Sequence, residues 1–376
     1  MSALYIHVPF CLSKCPYCDF YSRVATTGEI VSYVAALCLD IQRSAPAQPL
    51  TSIFFGGGTP SLLSADQVAQ ILSVAERTSG FAAQIEITLE ANPGTVTLET
   101  LRGYCAAGVN RLSLGVQSFD DDQLKWLGRK HSSAQARQAL SWARQAGFER
   151  INLDLMFSLP QQTLASLQQQ LQTLRLLAPE HLSIYGLTIE DATPFGEQYA
   201  AGQWLMPDDE LYRQMYLLID EQLASMGYEH YEISNYAQPQ ERCRHNLVYW
   251  QRQPYLGVGA GAHSFLVNGG SGWGERWASN NSISEYLHAL NTAACPRQQL
   301  ESFSRLQAMA EAVYLALRCR DGVDIHQFFT QFGCSFATTY SAAISRCAPH
   351  LITDDRRAHF DVEGWLLYNH YIENFL

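Results

Sequence analysis

Residues 5–18 have the sequence YIHVPFCLSKCPYC, an apolar strand pattern that ends in three cysteines spaced CxxxCxxC. The cysteines are Cys11, Cys15 and Cys18. A cubane iron–sulfur cluster normally takes four thiolates, one for each iron, so three thiolates leave one iron open to a small ligand. The alternatives are a zinc site or a disulfide, although zinc sites usually contain paired CxxC units or added histidines. On the cysteines alone, all three kinds of site stay open.

Outward from this segment, short apolar runs alternate with helical patterns and predict six βα units. The predicted strands are residues 4–8, 52–55, 85–89, 111–115, 151–154 and 182–187. Ser64 and Gln67 fit a capping box at the start of one intervening helix. Repeated βα units favour a parallel sheet whose sites lie at the carboxyl ends of the strands. Because six units are too few for an eightfold barrel, we predict an α/β fold with a partial, TIM-like (βα)6 barrel.

The pattern changes after Pro194. The predicted elements there are a helix at 208–226, a strand at 231–233, a glycine-rich strand at 255–265, a turn at 354–357 and a final helix at 365–375. The strands at 231–233 and 255–265 are expected to flank or close the sheet. We predict three parts: a barrel over residues 1–200, a flanking segment over 201–300, and a smaller, mainly helical domain over 301–376.

The composition excludes several classes of protein. The chain has 376 residues and a net charge of −11, whereas nucleic-acid binders need a basic groove. We therefore expect no nucleic-acid partner. No apolar segment approaches the ~20 residues that cross a bilayer, and we predict no membrane span. The amino terminus lacks a signal-peptide pattern and the ten cysteines show no even pairing, so we expect reduced thiols and a cytoplasmic location.

Polar residues and glycines follow several of the predicted strands. The segment FFGGGTP at 54–60 has three glycines, which let a ligand approach the backbone closely. Glu90, Gln117, Arg129 and Asp154 offer carboxylate, amide and guanidinium groups suited to a ribose and a carboxylate ligand. Taken singly, each is more often a capping or surface residue than a ligand-binding one.

Several motifs occur together in one order along the chain. CxxxCxxC is followed by GGGTP at 56–60, EANPGT at 90–95, RLSLGVQSF at 111–119, LGRKH at 127–131 and NLDLMFSLPQQT at 152–163. In this order they resemble radical S-adenosylmethionine (SAM) proteins, in particular the branch that contains oxygen-independent coproporphyrinogen oxidase and the HemW-type haem chaperones. DVEGWLLYN at 361–369 resembles the end domain of that branch, so the resemblance covers nearly the whole chain.

The resemblance implies a role for each matching residue. The three cysteines would hold a [4Fe-4S] cluster whose open iron is chelated by the amino and carboxylate groups of SAM. The residues that would cradle SAM are Tyr5, Gly57, Gly58, Thr59, Glu90, Gln117, Arg129 and Asp154. Gly186 and Ala262 are further, alignment-dependent candidates, and His7 would orient this group.

Two departures separate this chain from the oxidase. Asp-Phe follows Cys18, where the oxidase continues Cys-Gly-Cys, and the first predicted strand begins near residue 4, without the extension that the oxidase carries. Conversely, HNLVYW at 245–250 matches the HNxxYW signature that the resemblance associates with haem-binding members. We therefore expect His245 to be an axial ligand of haem, with Cys243 as the competing ligand.

The resemblance thus implies a haem chaperone that hands haem to acceptor proteins and draws on an electron donor. Whether the protein is also an enzyme stays open. The alternative is a radical-SAM enzyme that acts on a porphyrin, by coproporphyrinogen decarboxylation or by haem degradation. The missing cysteine and extension disfavour decarboxylation, and the HNxxYW signature favours haem carriage. A structural iron–sulfur protein with a vestigial site is disfavoured because the set of SAM-binding residues is complete.

Overall fold

Six βα units form the first part of the fold in a computed structural model, which describes residues 2–267 and 272–376. The strands are β1 (Ser2–Val8), β2 (Leu50–Gly57), β3 (Phe81–Ala91), β4 (Arg111–Gln117), β5 (Ile151–Phe157) and β6 (His181–Gly186). The helices between them are α1 (Thr27–Ser44), α2 (Ala65–Ser79), α3 (Leu98–Ala107), α4 (Asp121–Trp126), α5 (Ser133–Ala146) and α6 (Leu164–Leu177). Successive strands pair in parallel, which confirms the predicted partial barrel.

The start of α2 shows why the helices begin where they do. The Gln67 amide donates to Ser64 Oγ at 3.2 Å, and the Ser64 amide donates to Gln67 Oε1 at 2.8 Å. The predicted capping box is therefore confirmed, and it satisfies two amides that the helix itself cannot pair. Val68, Ile71 and Leu72 form the buried face of this helix.

The following segment completes both edges of the same sheet. Its elements are α7 (Pro194–Ala200), α8 (Asp209–Ser225), β7 (Glu229–Glu232), β8 (Asn235–Ala237), α9 (Arg244–Trp250), β9 (Tyr255–Val258), β10 (His263–Leu266), β11 (Glu275–Ser279), α10 (Ile283–Asn291) and β12 (Arg297–Ser302). The described strands are ordered β12-β11-β10-β9-β1-β2-β3-β4-β5-β6-β8-β7. The strand predicted at 231–233 is β7, which reaches the barrel through β8, since β7 pairs antiparallel with β8 and β8 with β6. On the other side, β9 pairs parallel with β1, so both parts of the chain flank the barrel as expected.

The single strand predicted at 255–265 is wrong, because the structure has two strands, β9 and β10, with a turn between them. Gly259 and Gly261 have φ angles of 101° and 81°, a backbone region that glycine favours and that ends a strand. A Cβ atom at Gly259 would also lie 2.6 Å from the His7 carbonyl oxygen. Glycine therefore turns the chain here instead of extending the strand.

The carboxyl-terminal part combines helices with a small sheet. Its elements are α11 (Arg305–Leu317), β13 (Val323–Asp324), α12 (Ile325–Phe332), α13 (Phe336–Thr339), α14 (Ser341–Arg346), β14 (Leu351–Thr353), β15 (Arg357–Phe360), α15 (Val362–Leu366) and α16 (Tyr368–Ile372). The predicted turn joins β14 to β15. The final helix predicted at 365–375 is broken instead into α15, α16 and a 3-10 turn at Glu373–Phe375. Within the described ranges, no helix is long and apolar enough to cross a membrane.

Candidate cofactor site at the carboxyl ends of the parallel strands

A cavity of about 540 Å³ opens at the carboxyl ends of β1 to β6. The predicted site residues that line it are Cys11, Cys15, Cys18, Gly57, Gly58, Thr59, Glu90, Gln117, Arg129, Asp154 and Gly186. These residues come from six different strand ends or the loops that follow them. The parallel sheet therefore brings together side chains that are up to 175 positions apart in the sequence.

The cysteine loop, residues 11–18, is held against the sheet by its backbone. The Cys11 amide donates to the Arg23 carbonyl at 3.0 Å, and the Cys18 amide donates to the Cys15 carbonyl at 3.2 Å. Two of the three thiols accept hydrogen bonds from the cavity wall, Cys11 Sγ from Thr59 Oγ1 at 3.5 Å and Cys15 Sγ from Arg129 Nη1 at 3.6 Å. Donors of this kind stabilise a thiolate.

The three thiols of the loop suit a cluster in which each thiolate binds a different iron. Within residues 2–267 and 272–376, no group of three or more His, Cys, Asp or Glu side chains is close enough to hold one metal ion. All three thiols nevertheless line one cavity. A [4Fe-4S] cluster attaches each thiolate to a different iron, so such spacing suits it, and the adjoining cavity lies where an open iron would need space for a ligand.

The glycine loop, residues 56–60, needs two glycines for packing. Gly57 has a φ angle of 109°, and a Cβ atom there would lie 2.6 Å from the His7 ring. A Cβ atom at Gly58 would lie 2.7 Å from the Phe10 carbonyl oxygen. The glycines therefore let the end of β2 lie directly against the end of β1, which brings Thr59 within reach of the cysteine loop.

Two carboxyl groups, Glu90 and Asp154, face the cavity from β3 and β5. Burial, together with the nearby Asp154 carboxyl, raises the pKa of Glu90 to about 8, against the opposing effect of a hydrogen bond from the Gly57 backbone. Burial likewise raises the pKa of Asp154, although hydrogen bonds from Asn152, Ser183 and Ser113 oppose this shift. With a pKa of about 8, Glu90 holds a proton at neutral pH, whereas the hydrogen bonds that Asp154 accepts favour its ionised form.

Gln117 ends β4 in a strained conformation. Its φ angle is 68°, which is unfavourable for a residue with a side chain and occurs mainly at functional sites. The Tyr185 hydroxyl donates to Gln117 Oε1 at 2.8 Å. This bond orients the amide, leaves its NH2 group free to donate elsewhere, and adds Tyr185 to the cavity wall.

Arg129 forms several contacts that the sequence did not reveal. Its Nη2 atom donates to the Gly115 carbonyl at 2.7 Å and to Asn92 Oδ1, while its Nη1 atom reaches Cys15 Sγ. Its Nε atom is buried without a partner among the described residues. Asn92 lies within the EANPGT motif, which was the only signal for its role. Arg129 therefore joins the cysteine loop to the ends of β3 and β4.

Tyr5, His7 and Ala262 were also predicted at the site, but none of the three lines the cavity. Tyr5 packs on the glycine loop, since a Cβ atom at Gly56 would lie 3.0 Å from its ring. Its hydroxyl donates to His7 Nδ1 at 3.1 Å, while His7 Nε2 donates to the Tyr21 carbonyl at 3.0 Å. Ala262 is buried in the turn between β9 and β10.

The structure does not bring His245 to the cavity. It lies in α9 and contacts Ser52 of β2 and Glu86 of β3, whereas the cavity is lined by later residues of these strands, Gly57 and Glu90. His245 is fully buried. Its Nδ1 atom lies 2.9 Å from Ser52 Oγ, and its Nε2 atom lies 2.8 Å from the Tyr249 hydroxyl. Both ring nitrogens are thus engaged, and burial lowers the pKa of His245 to about 3.

The raised pKa of Glu90 predicts a pH-dependent stability in the cluster-free protein. Between its ordinary value of 4.5 and about 8, the folded chain keeps a proton on Glu90 that the unfolded chain releases. The free energy of unfolding should therefore fall as the pH rises through this window and level off above it. A Glu90→Gln variant, which cannot ionise, should lose this part of the slope in urea unfolding measured from pH 5 to 8.5. Parallel pH profiles for the two proteins would contradict the shift.

Comparisons with known proteins agree with this geometry. The Radical SAM superfamily pattern matches residues 5–174, and the HemN C-terminal domain pattern matches residues 303–366. In solved structures, coproporphyrinogen III oxidase (HemN) from Escherichia coli superposes with a TM-score of 0.83 at 23% identity, over 100% of this chain and 89% of that chain. At this identity the likeness shows the fold alone.

Relatives of known name extend over the whole length of the chain. Heme chaperone HemW from Lactococcus lactis is 34% identical over 100% of this chain and 97% of its own length. Heme chaperone HemW from Bacillus subtilis is 33% identical over 100% and 99%, and heme chaperone HemW from Escherichia coli is 43% identical over 69% of each chain. With identity above 30% along nearly their full lengths, the Lactococcus lactis and Bacillus subtilis relatives show that the chain belongs to the HemW family of radical SAM proteins.

Proposed function

We propose that this protein is a cytoplasmic haem chaperone that binds haem, a [4Fe-4S] cluster and SAM, and transfers haem to acceptor proteins. The observation that carries the proposal is the cavity that joins the three thiols to Glu90, Gln117 and Asp154, in a chain whose full-length relatives are named heme chaperones.

The chain's own residues suggest how the cluster and SAM would be held. Cys11, Cys15 and Cys18 would bind three irons, with Arg129 and Thr59 donating to two of the sulfurs. The cluster, when bound and reduced, would supply an electron to SAM, and the protein would therefore need an electron donor as a partner. Glu90, Gln117 and Asp154 would accept from or donate to the amine and ribose hydroxyls, since they are among the polar groups that line the cavity.

A second candidate is a radical enzyme that acts on a porphyrin. The complete set of polar residues around the cavity favours it, because a simple carrier of haem would not need a SAM site.

Anaerobically reconstituted protein should be titrated with haem and then incubated with SAM and a reductant, followed by chromatography of the tetrapyrrole. We expect haem to bind in about one equivalent and to be recovered intact. An opened or decarboxylated tetrapyrrole would instead show that the protein is an enzyme. If wild-type protein binds no haem, the proposed chaperone function is contradicted.

We further propose that His245 is an axial ligand of haem, provided that α9 first opens. A neutral imidazole is a good ligand for haem iron, but Nε2 is occupied by the Tyr249 hydroxyl, so α9 must open before iron can reach it. Cys243 is a weaker candidate, because burial and the nearby Glu86 raise the pKa of its thiol to about 12 and keep it protonated.

This condition predicts opposite effects for two substitutions in one motif. His245→Ala should weaken haem binding and shift the Soret band. Tyr249→Phe should bind haem at least as tightly as wild type, because no hydrogen bond to Nε2 has to be broken while the ring surface is kept. Both effects are measured by absorbance titration of haem. An unchanged affinity and Soret band in His245→Ala would transfer the axial role to Cys243 or another residue.

A further inference from the structure

A continuous series of buried hydrogen bonds links Asp154 in the cavity with the beginning of α9. Asn152 Nδ2 donates to Asp154 Oδ1 at 2.6 Å, and Asn152 Oδ1 lies 2.6 Å from His181 Nδ1. His181 Nε2 lies 2.8 Å from the Tyr231 hydroxyl, which also accepts from the Cys243 amide at 3.4 Å. Four of these residues lie on β5, β6 and β7, and Cys243 is the N-cap of α9. We call this series the Asp154 chain.

The donors in the Asp154 chain all point toward the carboxylate. An ionised carboxylate only accepts, so the NH2 group of Asn152 must face Asp154 and its oxygen must face His181. His181 Nδ1 must then carry the proton, which leaves Nε2 of the neutral ring as an acceptor. The Tyr231 hydroxyl therefore donates to Nε2, and its oxygen is free to accept from the Cys243 amide. Each bond polarises the next in the same direction.

We propose that His181 is a positioning residue that fixes the Asp154 carboxylate, through Asn152, in the orientation that receives the ribose hydroxyls of SAM. The proposal rests on the proposed SAM site. Asn152 Oδ1 has a second donor, Ser183 Oγ at 3.2 Å, but the His181 contact is the shorter. His181 is buried, and burial lowers its pKa well below the ordinary value, so the ring stays neutral as the donor order requires.

The test compares two substitutions of His181 in the cluster-loaded protein. His181→Phe removes the donor to Asn152, whereas His181→Asn places an amide NH2 group where Nδ1 lies and keeps the donor. The SAM dissociation constant is measured from the change that SAM causes in the EPR signal of the reduced cluster. We expect SAM affinity to fall by about tenfold in His181→Phe, a typical effect of losing an outer partner of a binding group, and to be largely restored in His181→Asn.

A matched control separates positioning from general damage to the fold. His230 is also buried and hydrogen-bonded, to Asp220 at 2.8 Å and to the Ile233 carbonyl at 3.2 Å, but it is not part of the Asp154 chain. His230→Phe should lower stability without changing SAM affinity. Equal loss of affinity in His230→Phe and His181→Phe, or no rescue by His181→Asn, would overturn the positioning role.

Three further measurements distinguish this proposal from the assignment of the SAM site itself. Normal SAM binding by Asp154→Ala would contradict the role of Asp154 at the ribose. If Asp154→Ala weakens SAM binding but His181→Phe does not, only the positioning role of His181 is contradicted. In the Asp154→Ala/His181→Phe double variant, the second substitution should cause no additional loss of SAM affinity. Nitrogen-15 NMR of wild-type protein should also show His181 as the neutral Nδ1–H tautomer, and an Nε2–H tautomer would contradict the donor order even if no variant folds.

Discussion

Replacing Cys15 with alanine should abolish the iron–sulfur cluster. Wild-type protein prepared anaerobically should contain about four irons and four sulfides per chain, and the variant close to none. Three thiolates are the fewest ligands that hold such a cluster with one open iron, and Cys15 also carries the contact with Arg129 Nη1. The loss is measured by iron and sulfide analysis together with the absorption and EPR spectra.

Cys105→Ala is the matched control for this experiment. Cys105 is another partly buried free thiol, but it lies in α3, away from the cavity, so its replacement should leave the iron content unchanged. Stoichiometric zinc in wild-type protein, or a full oxygen-sensitive cluster in Cys15→Ala, would remove the cluster assignment.

Replacing Glu86 with alanine should cause a large loss of stability. The Glu86 side chain is 1% exposed, and it lies 3.6 Å from the guanidinium of Arg111, which is 2% exposed. It also accepts from the His245 amide at 3.0 Å. Without Glu86, the guanidinium loses its buried counter-charge and the amide loses its acceptor. Breaking a buried ion pair from one side typically costs about 3–5 kcal/mol, and we expect the free energy of unfolding to fall by this order.

Urea unfolding of the two proteins measures this effect, and an exposed ion pair provides the control. Arg213 and Glu363 form a salt bridge with both side chains exposed, so Glu363→Ala should change the unfolding midpoint far less than Glu86→Ala does, because solvent screens such pairs. Similar midpoints for Glu86→Ala and wild type would show that the Arg111 charge is compensated elsewhere.

Most of the barrel could be predicted because its strands are buried on both faces. Such strands appear as short apolar runs between helical patterns, and β5, for example, has six of its seven residues buried. The turn between β9 and β10 was missed because a glycine inside an apolar run does not reveal whether its φ angle is positive. Gly259 and Gly261 have positive φ angles here. A Cβ atom at Gly259 would also lie too close to His7, which explains why glycine is needed at this position.

The features of the site also divide into those that could be predicted from the sequence and those that could not. Residues at strand ends, such as Glu90 and Asp154, could be predicted to converge because parallel strands present their carboxyl ends at one edge. Contacts that depend on side-chain packing could not, and they include the bond from Arg129 to the Cys15 thiol and the burial of His245. A motif shows which residue types occur together, but it carries no information on whether they face a cavity or the core.

The position of β1 in the sheet has a consequence for biosynthesis. β1 lies between β2 and β9, and β9 begins at Tyr255, so one edge of β1 has no strand partner until that part of the chain has left the ribosome. At ordinary translation rates this takes roughly 10–50 s after β1 itself is made. The cysteine loop that follows β1 is therefore synthesised well before the strand that supports the second edge of β1. Loading of iron and sulfide is then expected to follow the emergence of β9 from the ribosome, at a stage when β9 already pairs with β1.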